Sequence, residues 1–127
     1  MADVPSSDPW RRAVLDPQAV DDMFDMPGRT GPSLFLEILA LFRKSEPARI
    51  ADLPRLVAGR QGAELERQAH QMAGSCAVIG AQQLQDAARA LEDAAREGDW
   101  AAAAERLAAV NRGWAALQAE LAKRQLL

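Results

Sequence analysis

A chain with one histidine and one cysteine has few ways of doing chemistry. Cys76 alone rules out an internal disulfide, and its place on an apolar stripe marks it as a small buried packing residue. His70 has no second imidazole to share a metal with, and the carboxylates lack the Glu-x-x-His pairs of di-iron bundles, so no metal site is expected. No Gly-rich loop runs into Lys-Ser or Lys-Thr, which excludes nucleotide binding by a P-loop. No apolar run approaches the roughly 20 residues that span a bilayer, and the N-terminus lacks the charged-then-apolar order of a signal peptide, so a cytoplasmic location is expected. Basic charge is also short, with 15 Lys and Arg against 18 Asp and Glu, a formal charge of −3 and no concentrated basic face. Nucleic acid is therefore not an expected partner.

Aromatic residues make up only 5% of the chain and tyrosine is absent, while Ala, Leu, Glu, Gln and Arg dominate. That is the composition of a helical bundle. At 127 residues and 49% hydrophobic content the chain is one domain. Residues 1–12 (MADVPSSDPWRR) show no periodicity and read as a flexible tail, leaving 13–127 as the bundle domain. Asp16-Pro17 starts a short helix that places Val20, Met23 and Phe24 on one side and ends at Pro27-Gly28.

From Ser33 the run LFLEILALF is apolar nearly all round and needs cover on more than one face. Leu34, Phe35, Leu39 and Phe42 are core candidates. Beyond it come Ile50, Leu53, Leu56 and Val57, interrupted by Pro47 and Pro54; either two helices meet at Ser45-Glu46-Pro47 or one helix bends, and the continuing pattern favours one bent helix. Gly59 and Gly62 bracket the next turn. A helix with Leu65, Ala69, Met72, Cys76 and Ile79 buried then runs to Gly80, a left-handed cap. After Ala81, Leu84, Ala88, Leu91 and Ala95 form the next stripe, Gly98 ends it and Asp99 caps the last helix. There Ala103, Leu107, Val110, Trp114, Leu117 and Leu121 make the cleanest seam in the chain. Short connections predict antiparallel neighbours, hence an all-α, up-down-up-down four-helix bundle with an extra short N-terminal helix.

His70 lies just off the stripe of its helix. Its neighbours three and four residues away are Arg67, Glu66, Ala73 and Gly74, with Ala77 a turn further on, so the ring stands on a floor of small residues. Glycine inside a helix costs about 1 kcal/mol relative to alanine, and room for a large partner at the ring is a reason for Gly74. A lone histidine beside an apolar stripe is by default a packed or solvated residue; the small-residue floor weighs against that here. Ser75 follows His70 too closely on one helix to form a nucleophile and base pair with it, and reads as a local helix hydrogen-bonder. What remains is an accessible imidazole.

His70-Gln71-Met72-Ala73-Gly74-Ser75-Cys76-Ala77-Val78-Ile79-Gly80-Ala81 resembles the signature of histidine-containing phosphotransfer (Hpt) domains: His-x-Leu-Lys-Gly-Ser-Ser, two or three variable residues, an apolar residue and Gly-Ala. Leu84, Leu91-Glu92 and Gly98-Asp99 match the family's next helix and turn, and Phe42 and Pro47 its preceding helix, so the resemblance runs over roughly residues 15–121. It implies a phosphoryl relay in two-component signalling. His70 would accept a phosphoryl group from the aspartyl phosphate of one receiver domain, on a response regulator or hybrid histidine kinase, and pass it to another. The receiver would supply Mg²⁺, this chain would bind no cofactor, and the protein would be a carrier without kinase activity.

An imidazole with an ordinary pKa of about 6.5 is mostly neutral and nucleophilic at cytoplasmic pH. By the same resemblance Glu92 stands where the family has a polar residue near the histidine, and would hydrogen-bond one ring nitrogen. Arg67, Gln71, Ala73, Gly74 and Ala77 would meet the receiver. The departure is Ala73, where the family has lysine; Arg67, a turn before His70, is the candidate substitute, against its plainer reading as a surface pair with Glu64. That departure keeps open a bundle that docks a receiver or kinase without transferring phosphate; a helical adaptor unrelated to phosphorelay is the third reading. A monomer is expected, with the broadly apolar second helix the one face able to pair two copies.

Overall fold

The computed structural model describes residues 12–18 and 31–126. Four long helices make up nearly all of it: α1 (Gly31–Ala58), α2 (Gly62–Ile79), α3 (Gln82–Glu97) and α4 (Trp100–Lys123). Connections of three, two and two residues force neighbours to run antiparallel. Each helix packs on the next, and α1 also meets α4, which closes the bundle.

The turns follow from local chemistry. Gly80 and Gly98 adopt left-handed φ of 78° and 69°, ending α2 and α3. With each in place the next residue's N–H turns back into the helix: Ala81 donates to the Cys76 carbonyl at 2.9 Å and Asp99 to the Ala94 carbonyl at 3.0 Å. Asp99 caps α4, its carboxylate accepting from the Ala102 N–H at 3.0 Å. Between α1 and α2 the left-handed residue is Arg60 rather than either flanking glycine.

α1 is one uninterrupted 28-residue helix through Pro47 and Pro54. Each proline removes one rung of the backbone ladder, yet the apolar face on both sides of it stays buried: Phe35, Leu39 and Phe42 before Pro47, Leu53 between the two prolines and Leu56 after Pro54. The helix is described from Gly31 onward, and the expected start at Ser33 lies inside it. Phe42 stacks on Trp114 of α4 with ring centroids 5.9 Å apart.

The expected stripe residues of α2 and α3 are all buried, as are Ala103, Val110, Leu117 and Leu121 of α4. Leu107 and Trp114 are half-buried against the same core.

Of the expected N-terminal helix only Pro17 and Gln18 are described, both helical, with the Gln18 N–H donating to the Asp16 carboxylate at 3.0 Å. Val20, Met23, Phe24 and Pro27-Gly28 lie outside the described residues, as do residues 1–11 of the expected tail. Arg12, assigned to that tail, is anchored: it pairs with Asp86 of α3 at 2.8 Å. The segment after it straps the corner between α2 and α3, with the Asp16 N–H donating to the Gly80 carbonyl at 2.7 Å and the Gln83 N–H to the Ala13 carbonyl at 3.1 Å. Both bonds satisfy groups that helix ends leave unpaired. Among the described residues no helix is long and apolar enough to cross a membrane.

Candidate functional site

His70 sits midway along α2 with its side chain 75% exposed. Across the groove, Glu92 on α3 is buried, and its Oε2 lies 3.0 Å from His70 Nδ1. An ionised carboxylate only accepts, so Nδ1 carries the proton in this contact and Nε2 keeps its lone pair. The free nitrogen belongs to the exposed end of the ring.

Glu92 is itself held. Arg96, one turn on along α3, donates from Nη2 to the same Oε2 at 3.0 Å, from Nε to Glu66 of α2 at 2.9 Å and from Nη1 to Asp93 at 3.2 Å. The hydrogen bond to Glu66 and that carboxylate's charge hold the guanidinium above its ordinary pKa. The chain Glu66, Arg96, Glu92, His70 thus ties the two helices together and fixes the plane of the ring.

Beside the ring is an open cleft of about 290 Å³ lined by His70, Ala73, Gly74, Arg89, Glu92 and Asp93. Gly74 is exposed, and a Cβ built on it would meet nothing within 4 Å among the described residues, so none of them demands glycine there. Ala77 and Val78 are exposed a turn further on. Next to them, between α1 and α2, an apolar groove is lined by Ile38, Leu41, Ser75 and Val78, with Leu41 66% exposed.

The residues predicted around His70 do not all gather there. Glu92 and Gly74 do, while Ala77 is exposed two turns further along α2 and does not line the cleft. Ala73 reaches the cleft edge but is buried. Gln71 is turned toward α1, its Oε1 accepting from Arg49 Nη2 at 3.2 Å. Arg67 forms a forked pair with Glu64, turning away from His70 toward the start of the helix. Hydrogen bonds from Gln68 and Arg67 hold Glu64 below the usual carboxylate range. Cys76 is fully buried, and burial pushes its thiol far above the ordinary value, as befits a packing residue. Ser75 is half-buried at the apolar groove.

Sequence reasoning missed Arg89 and Arg96. Both follow from Glu92 by helical spacing, three residues before and four after, once Glu92 is placed opposite His70. Among the described residues no group of three or more His, Cys, Asp and Glu is placed to hold a metal ion.

The family model for the Hpt domain matches residues 37–123, which include the His70 motif, Glu92 and both connections of the α2–α3–α4 segment. The chain belongs to the Hpt family. A crystal structure of a histidine-containing phosphotransfer protein from Medicago truncatula is similar in fold to this Hpt domain, with a TM-score of 0.79 at 16% sequence identity over 92% of this chain and 81% of that one. No curated protein sequence matches the chain. At that identity the structural likeness speaks for the bundle, and the family match for the motif it presents.

Proposed function

We propose that this Hpt domain carries a phosphoryl group on His70 between receiver domains of a two-component phosphorelay. The observation that supports this most directly is the ring itself: Nδ1 is bound to Glu92 and the opposite nitrogen lies in the open, on the family's own motif. In the forward step the Nε2 lone pair attacks the phosphorus of a receiver's aspartyl phosphate. The N–P bond forms, the acyl P–O bond breaks and the aspartate leaves as carboxylate. Mg²⁺ on the receiver would neutralise charge on the phosphoryl oxygens. The phosphorylated ring, still protonated at Nδ1, is cationic, and Glu92 lies against that charge. Transfer to a second receiver reverses each bond. Alignment does most of the work in such a transfer, which suits a rigid bundle that presents one nitrogen.

The receiver would settle over the exposed part of the α2 face, Gly74 and Ala77, and extend onto the apolar groove beside Val78 and Leu41. The reading places the protein in the cytoplasm as a monomer, where receivers are met in solution.

Incubation with a phosphorylated receiver is the test. Acid-labile, base-stable label is expected on the wild type and at least a hundredfold less on His70→Gln. Saturable receiver binding without label would establish the docking role instead, and neither label nor binding to any receiver would overturn both.

A further inference from the structure

Resting on that reading of His70, we propose that Arg89 holds the transferred phosphoryl group, standing on α3 in the place that lysine takes on the histidine's own helix elsewhere in the family. Two interhelical contacts fix the register of α2 against α3. Glu92 meets His70 at 3.0 Å, and Arg96 meets Glu66 at 2.9 Å. Four residues forward on α3 therefore match four residues back on α2, as antiparallel helices require. Run the other way, the same register sets Arg89, three before Glu92, opposite Ala73, three after His70. Both line the His70 cleft.

The cleft needs a cation from somewhere. Its other charged groups are the carboxylates of Glu92 and Asp93, and Ala73 contributes only a methyl group. Arg96 is committed to three carboxylates and Arg67 to Glu64. Arg89 is exposed and makes no hydrogen bond or ion pair with any other described residue. Packed helix axes lie about 8–10 Å apart, a gap that an arginine bridges across a facing alanine. Gly74 beside it leaves the path to Nε2 open. A guanidinium presents paired N–H donors that match two phosphoryl oxygens, and those donors favour the group as charge builds on it in transfer.

Phosphoramidate, a donor with no protein surface, separates an action on the phosphoryl group from one on docking. In that reaction the N–P bond to ammonia breaks as the bond to Nε2 forms, and the ammonia departs with a proton from solvent. A charge-assisted bond of this kind corresponds to roughly a 10- to 100-fold effect. Arg89→Gln is expected to slow His70 labelling by phosphoramidate by that factor, through kcat rather than KM, and to shorten the lifetime of the phosphohistidine. Arg89→Lys should retain most of both. Because Arg89 is exposed and has no partner among the described residues, the thermal midpoint of Arg89→Gln should equal that of the wild type. Wild-type labelling rate and lifetime in Arg89→Gln would overturn the assignment, as would a defect seen only with receiver donors. Failure of the wild type to label with either donor would overturn the proposed function of His70 and this role with it.

Discussion

Glu92 serves two donors with one oxygen, His70 Nδ1 and Arg96 Nη2, each at 3.0 Å. The carboxylate sets the tautomer of the ring and lies against its charge once phosphorus is bound. Glu92→Gln keeps an acceptor but loses the charge, and Glu92→Ala loses both. The expected order of His70 phosphorylation rates is wild type, then Gln, then Ala, the last slower by about 10- to 100-fold. Nitrogen chemical shifts of the ring should show Nδ1–H in the wild type and lose that preference in Glu92→Ala. Equal rates in all three proteins would remove Glu92 from the site. His70 was legible in the sequence because it is unique and stands among small residues, and the resemblance pointed to Glu92. Arg96 and Arg89 were not, because which α3 residues face the ring depends on the register between two helices, and the periodicity of either one does not contain it. Arg67 could be read two ways, because a side chain one turn from His70 is equally one turn from Glu64, and the plainer reading holds: it forms the ion pair with Glu64.

At the scale of the helices, two glycines in similar settings have opposite reasons. Gly74 on α2 has open space where its Cβ would be. Gly113 on α4 is buried, and a Cβ there would lie 3.3 Å from Leu84 Cδ1 and 3.4 Å from Leu84 Cα, so glycine lets α4 approach α3. Gly74→Ala should gain roughly 0.5–1 kcal/mol of stability from helix propensity, a rise of about 2–5 °C in Tm, while weakening receiver binding. Gly113→Ala should show no such gain, since Leu84 must give way. If calorimetry found the two substitutions equally stabilising, close packing would not be the reason for Gly113. Boundaries and buried faces of α2, α3 and α4 were readable because caps and stripes are local signals. α1 left a choice that sequence did not decide: its continuity through two prolines is a decision of the bundle, which covers the apolar face on both sides of them.

For the molecule as a whole, α1 is tied to the histidine helix by a polar link that starts from a buried carboxylate and runs out to the surface. Glu46 is fully buried; its carboxylate accepts from Arg49 at 2.6 and 2.8 Å and from the Ser45 hydroxyl at 2.9 Å. Arg49 in turn donates to Gln68 at 3.0 Å and Gln71 at 3.2 Å on α2, and Gln68 passes the link to Glu64 at 2.7 Å. Two of the residues gripped in this way flank His70 in sequence. Taking an ion pair out of water is costly, so the pair serves orientation more than stability, and removing only one partner is the damaging change. Arg49→Met leaves Glu46 buried without its cation and should lose about 3–5 kcal/mol, seen as a lower urea midpoint with unchanged slope. Glu46→Leu combined with Arg49→Met removes both charges and should recover most of that loss, because the site then packs as apolar core. The double variant should nevertheless show broadened α2 resonances around Gln68 and Gln71, since nothing replaces the grip of Arg49 on those side chains. A single Arg49→Met substitution costing under about 1 kcal/mol, far below the usual penalty for an unpaired buried charge, would mean that the Glu46 carboxylate does not depend on Arg49.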